Sequence, residues 1–112
     1  MAEVQTPEIR SLRQGLGLSQ ESLSRVLDVS ARSVERWEAK GAPPVSGGTQ
    51  RRLLLLLEIV GLARETYGDG VVAFLATPRR SLGLRTPREA LIHGDLDSVR
   101  ELLVNELEGH WG

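Results

Sequence analysis

Apolar residues recur along this chain in short blocks at spacings of three and four, and capping or helix-ending residues bracket each block. Thr6 and Pro7 read as N-cap and first helical position, Ile9 and Leu12 lie one turn apart, and Gly15 closes the segment. Ser19 opens a second helix whose Leu23, Val26 and Leu27 form a one-sided stripe ending at Asp28. Ser30 caps a third helix to about Ala39, with Val34 and Trp37 on one side, and Gly41, Pro43 and Pro44 terminate it. Small residues over 44–49 predict a loop, and Thr49 is expected to cap a long helix running to about Tyr67, before Gly68. Its leucine run covers more than one face, so it should be buried on several sides, either between front and back segments or against a second copy of the chain.

The back half keeps the same punctuation. A short helix is expected to begin at Asp69 or Gly70, carrying Val71, Val72, Phe74 and Leu75 and closing at Thr77 and Pro78. Thr86 and Pro87 repeat the cap-and-proline start, Ala90 and Leu91 pack, and Gly94 ends that piece. Asp97 is expected to cap a last helix with Val99, Leu102, Leu103 and Leu107, ending near Gly109 and leaving His110, Trp111 and Gly112 as a tail. No alternating strand pattern, repeat or low-complexity stretch interrupts this series, so the predicted fold is all-α.

Composition narrows the function. The chain has no cysteine, which excludes a disulfide framework, a thiolate metal site and a cysteine nucleophile. The apolar run from Leu53 to Leu57 is interrupted by Glu58 and preceded by Arg51 and Arg52, far short of the roughly 20 residues a bilayer helix needs. With no basic, apolar leader at the N-terminus, the expected location is the cytoplasm. Net charge is -1, with 6 basic and 6 acidic residues up to Gln50 and 8 basic and 9 acidic after it. Neither half is a polycation, so nucleic-acid binding has to come from a few placed arginines and from dimerisation. His93 and His110 stand far apart without a metal-ligand spacing, Ser81 and His93 make no triad, and the glycines follow no strand that would open a nucleotide loop. No cofactor and no catalytic residue is expected.

The stretch GLSQESLSRVLDVSARSVERWEAKGAPP resembles the Xre-type helix-turn-helix. Ser19 and Gln20 open the second helix, Leu23 is its buried leucine, Val29 plugs the turn, Ser30 caps the third helix, and Val34, Trp37 and Glu38 follow. Two short helices held at a steep angle let the second enter the major groove. Arg32 and Arg36, four residues apart, share one face with Ser33 between them, and an arginine fork suits guanine edges. Ser19, Gln20 and the helix amide ends suit phosphate, and Ala31 reaches no further than a methyl group. The same arginines are otherwise simply solvated, and acidic Glu35 between them opposes DNA affinity. Asp28 stands where the family often has glycine and must adopt a left-handed conformation, which aspartate tolerates better than most residues. Trp37 is assigned to the core.

Residues 71–109 resemble the C-terminal toxin-binding domain of the Xre/MbcA/ParS antitoxin family. The resemblance rests on Phe74 and Leu75 before Thr77 and Pro78, on Leu82 and Gly83, on Arg85, Thr86 and Pro87, on Leu91, Gly94 and Asp95, and on a valine-led last helix. Phe74 takes a place where tryptophan is commoner, a conservative change in a packed site. The resemblance implies an Xre-like helix-turn-helix domain over 1–46, a connecting or dimerisation helix over 47–68, and a toxin-binding domain with a tail over 69–112. It also implies a partner, a RES-domain toxin that destroys NAD and whose NAD site the antitoxin obstructs with its last helix and chain end. Glu106, Glu108, His110 and Trp111 are the expected contacts, with Trp111 as an aromatic anchor or else an exposed residue of a frayed end. Arg79, Arg80, Arg85 and Arg88 either meet acids on the toxin or solubilise the surface. Operator DNA is the second expected partner, and a homodimer or larger toxin–antitoxin assembly the expected state. A stand-alone regulator with an oligomerising back half, and a neutraliser whose helix-turn-helix no longer binds DNA, are the competing readings.

Overall fold

The computed structural model describes residues 9–40 and 47–109, and among them it contains helices, turns and no strand. In chain order the helices are α1 (Ile9–Gly15), α2 (Gln20–Leu27), α3 (Ala31–Lys40), α4 (Gly47–Tyr67), α5 (Val71–Leu75), α6 (Pro87–Ile92) and α7 (Leu96–Glu108). Single 3₁₀ turns precede α5 at Gly68–Gly70 and lie between α5 and α6 at Arg80–Leu82. The all-α expectation holds. The expected cap at Thr6 and Pro7, the terminators Gly41, Pro43 and Pro44, and the tail residues His110 and Trp111 lie outside the described residues.

Local chemistry explains the helix ends. Ser19 adopts extended backbone and its hydroxyl accepts from the Ser22 N–H at 3.0 Å, satisfying one otherwise orphaned donor of α2. Ser30 does the same for Ser33 at 3.1 Å. Asp28 takes φ 59°, the left-handed state expected of it, and the Val29 N–H then reaches back to the Ser24 carbonyl at 2.9 Å in a Schellman arrangement. Gly17, at φ 69°, turns the chain between α1 and α2 with Val72 packed against it, so that a β-carbon here would come within 3.3 Å of that side chain. Thr86 and Glu89 form a full capping box ahead of α6, with Pro87 at its start.

Two expected caps are displaced. α4 begins at Gly47, whose φ of 76° supplies the entry, and this places Thr49 inside the first turn rather than at the cap. α7 begins at Leu96 with Asp95 as its cap residue, and Asp97 lies in the first turn. The shift arises because the Asp95 N–H is tied to the Ala90 carbonyl at 2.8 Å, closing the end of α6 directly onto the start of α7.

One cluster of buried side chains runs through every helix, from Ile9 and Leu12 through Leu23, Val26, Leu27, Val34 and Trp37 to Leu56, Ile59, Phe74, Leu91, Val99 and Leu103. α4 is its spine. Leu53, Leu56, Ile59, Val60 and Ala63 are buried, and the helix packs on α2, on α5 and most extensively on α7. Leucines on several faces of α4 are thereby covered from both halves of the chain, whereas Leu54 remains 55% exposed.

A buried ion pair locks the first three helices. The Glu38 side chain on α3 is 2% exposed and accepts from Arg13 Nε at 2.6 Å and Nη2 at 3.2 Å, while Gln20 Nε2 on α2 donates to it at 3.0 Å. Arg13 also donates to the Leu18 carbonyl at 3.1 Å, and Arg10 adds a contact to Glu38 at 3.5 Å. The hydrogen bonds from Arg13 hold the Glu38 carboxyl below the usual carboxylate range against the opposing effect of burial, and Glu38 raises Arg13 in return.

Replacing Glu38 with glutamine keeps the shape and leaves the Arg13 charge buried without its counter-ion, so the expected loss is about 3 kcal/mol, read as a fall in the urea midpoint. Because the folded pKa of Glu38 is depressed, its contribution is complete above the unfolded value of roughly 4.3 and is lost as pH falls through the lower folded value. The acid limb of a stability-against-pH curve should therefore be shallower in Glu38→Gln; an unchanged limb would show that the pair adds nothing.

Candidate functional site

The presentation of α3 follows from its two faces. Val34 and Trp37 are buried against α2 and the rest of the core, Glu38 is fixed by Arg13 and Gln20, and Arg32, Glu35 and Arg36 are consequently turned to solvent. Neither Arg32 nor Arg36 has an ionic partner among the described residues, and one helical turn separates them. Ser33 is half-buried, and its hydroxyl lies 3.0 Å from that of Ser30.

Of the two residues expected at phosphate, Ser19 is exposed and uses its hydroxyl both to cap α2 and to donate to Ser22 Oγ at 3.0 Å. Gln20 directs its amide N–H to Glu38, so its visible work is to brace α2 against α3. Sequence spacing held no sign of this, because the partners lie 18 and 25 residues apart in the chain.

In the back half the structure sorts the charged candidates into two groups. Arg79 donates from Nη1 to Glu106 at 2.8 Å and from Nη2 to the Tyr67 hydroxyl at 2.8 Å, and its guanidinium lies 5.1 Å from the Phe74 ring centre. Tyr67 stacks on Phe74 at 4.7 Å and donates its hydroxyl to Glu106. Burial, and then the Glu106 carboxylate, push the Tyr67 phenol up. Arg79 and Glu106 thus clasp the end of α4 to α7, with Tyr67 and Phe74 as a stacked floor. Tyr67 went unsuspected because nothing in its local sequence marks it.

Arg85 is likewise engaged, donating to the Leu82 carbonyl at 2.9 Å and to Asp95 at 2.8 Å, and it holds the Asp95 carboxyl below its ordinary value. Arg80, Arg88 and Glu108 are exposed and make no ion pair among the described residues. Where α7 ends, Thr66, Tyr67, Asn105, Glu106 and Gly109 line an open depression of about 470 Å³. Among the described residues no group of three potential metal ligands converges, and no helix is long and apolar enough to cross a membrane.

Comparison with known proteins gives this geometry a family. The helix-turn-helix family matches residues 9–46. Over 94 residues the chain is 31% identical to the mycobacterial cidal antitoxin MbcA of Mycobacterium tuberculosis (strain ATCC 25618 / H37Rv), and that alignment spans 84% of this chain and 83% of the relative. The chain belongs to the MbcA antitoxin family. MbcA of Mycobacterium bovis matches with the same identity and coverage. The MbcA-like likeness extends to three dimensions, since a chain in the crystal structure of the M. tuberculosis MbcT–MbcA toxin–antitoxin complex superposes with a TM-score of 0.67 at 26% identity, covering 97% of this chain and 98% of that one. The helix-turn-helix and the helical back half therefore belong to a single MbcA-type architecture, as their resemblances implied separately.

Proposed function

We propose that this chain is the antitoxin of a type II toxin–antitoxin pair, that its cognate toxin is a RES-domain enzyme degrading NAD, and that it neutralises the toxin by covering the NAD site. The observation that carries the reading is the likeness to the MbcT–MbcA complex over nearly the whole of both chains. The role is one of binding rather than catalysis, exercised in the cytoplasm and needing no cofactor. Over 69–112, the exposed Arg80, Arg88 and Glu108 are the residues best placed to meet the toxin, together with His110 and Trp111, which lie outside the described residues. Arg79, Arg85 and Glu106 act chiefly by shaping this surface, because each is already ion-paired within the chain.

The front segment, 1–46, represses the operon by placing α3 in the major groove of an operator, with Arg32 and Arg36 reading bases and Ser33 beside them. The first turn of α2, at Ser19 and Gln20, meets phosphate through its backbone amides. Dimerisation occurs along 47–68. The exposed edge of α4 carries Arg51, Leu54, Glu58, Gly61 and Glu65 on successive turns, and an antiparallel copy sets Leu54 over Gly61 and Arg51 beside Glu65, with the central Glu58 neutralised by Arg100 of its own chain.

Co-expression with the product of the adjacent gene should give a complex on size-exclusion chromatography that consumes no NAD, and truncation after Glu108 should restore NAD loss; absence of any complex would leave a plain helix-turn-helix regulator. In a mobility-shift assay with the upstream DNA, Arg32→Ala and Arg36→Ala should each weaken binding by on the order of 10- to 100-fold. Equal shifts with wild type and mutants would remove these arginines from the reading role, and no shift at all would favour a neutraliser that does not bind DNA. Sedimentation of Leu54→Glu should report a monomer where the wild type is a dimer; an unaltered dimer would place the contact elsewhere.

A further inference from the structure

The turn that leads into α6 contains a residue that its own fold does not favour. Residues 82–85 form a tight turn closed by the Arg85 N–H on the Leu82 carbonyl at 3.3 Å, and its two central residues, Gly83 and Leu84, both have positive φ, 68° and 69°. That is the backbone of a type I′ turn, whose central positions go to glycine, asparagine and aspartate. A leucine there brings its β-carbon too close to the following carbonyl, and a bulky side chain in this region is a true outlier. Leu84 gains nothing in return from packing. It is 69% exposed, more than any other large hydrophobic residue described, while Leu82, two residues earlier, is buried and anchors the turn.

The turn is held firmly in this shape. The Leu84 N–H donates to the Arg79 carbonyl at 2.9 Å, the Arg79 N–H donates to the Arg85 carbonyl at 3.0 Å, and the Arg85 guanidinium ties the same segment to Asp95. A strained residue kept in place by its surroundings, and pointing an apolar side chain at solvent, signals a surface that is completed by something else.

We infer that Leu84 is a hydrophobic anchor for the toxin, inserted into an apolar pocket whose rim carries carboxylates. The chemistry around it selects that occupant. Arg80 in the same loop and Arg88 in the first turn of α6, four residues before and after Leu84 in the chain, are both exposed and without ionic partners among the described residues, so uncommitted cations flank the knob on both sides in sequence. A second copy of this chain is a poor match, because a two-fold contact centred on Leu84 sets these arginines against their own copies. DNA is a poor match as well, since a leucine knob standing in the middle of the patch has nothing to offer phosphate. The inference rests on the antitoxin reading and names the residue through which the back segment grips its partner.

The test compares wild type, Leu84→Gly and Leu84→Asp as full chains for affinity and NAD-consumption inhibition against the purified product of the adjacent gene, with thermal melting of each antitoxin alone. Glycine removes the anchor and suits the backbone, so the two readouts should move apart: affinity falls on the order of 10- to 30-fold while the melting temperature holds or rises by a few degrees. Leu84→Asp should bind more weakly still. Affinity unchanged in Leu84→Gly, or a melting temperature that drops along with affinity, would overturn the anchor and make Leu84 incidental or structural. So would loss of self-association in Leu84→Gly without toxin, which would assign the knob to a second copy. If folded wild type itself fails to bind the toxin, the antitoxin reading falls and the anchor falls with it, an outcome distinct from selective failure of the mutant.

Discussion

A carboxylate placed where three helices meet must find its compensation on all three, and Glu38 does so. Arg13 reaches it from α1, Gln20 from α2, and its own helix supplies the third side. Net contributions of buried ion pairs to stability are modest, but removing one partner is costly, so the arrangement penalises any other placement of these helices. The angle of α3 follows from it. With Val34 and Trp37 inward and Glu38 held, Arg32 and Arg36 have nowhere to point except outward. The exposed face of α3, proposed above for base reading, is thus set by an interaction on its opposite side.

The second constraint is the continuity of the core. α4 lies against α2 on one side and α7 on the other, α2 also touches α6, and Val26 and Leu27 of the helix-turn-helix belong to the same buried cluster as Leu91 and Val99 of the back segment. Among the described residues a single buried apolar cluster therefore runs through both the helix-turn-helix and the back segment. Further ties join these elements: Tyr67 at the end of α4 donates to Glu106 of α7 and accepts from Arg79, Arg100 meets Glu58 at 2.8 Å, and Val72 packs on Gly17. The surface pair of Arg100 and Glu58 adds little energy in water, so the apolar contacts carry the joint.

Much of this was legible in the chain because local rules govern it. Spacing of Leu23, Val26 and Leu27, the caps at Ser19, Ser30 and Thr86, and the left-handed Asp28 depend on neighbours within one or two turns, and all appear as expected. Thr49 and Asp97 failed as caps for a reason of the same local kind, since a glycine or a closing hydrogen bond two residues earlier had already started the helix. Long-range chemistry was illegible. Glu38 reads as one more charge on α3 until Arg13 arrives from 25 residues away, and Tyr67 is an ordinary helix-end tyrosine until Glu106 and Arg79 converge on it. Leu84 escaped notice because exposure and φ cannot be read from a dipeptide.

Pairing within the chain also decides what its modest charge can do. With a net charge of -1, no diffuse basic field draws this protein to DNA or to an acidic partner. Specific contact then depends on which guanidinium groups remain uncommitted. Arg10, Arg13, Arg25, Arg52, Arg79, Arg85 and Arg100 have carboxylates within 4.0 Å and are spent on the fold. Arg32 and Arg36 on the outer side of α3, and Arg80 and Arg88 on either side of Leu84, have none among the described residues. The fold consumes the arginines that hold helices together; Arg51 and Arg64 of α4 also stand exposed without a carboxylate partner among the described residues, so the uncommitted guanidinium groups fall on α3, on the outer side of α4 and around the turn before α6.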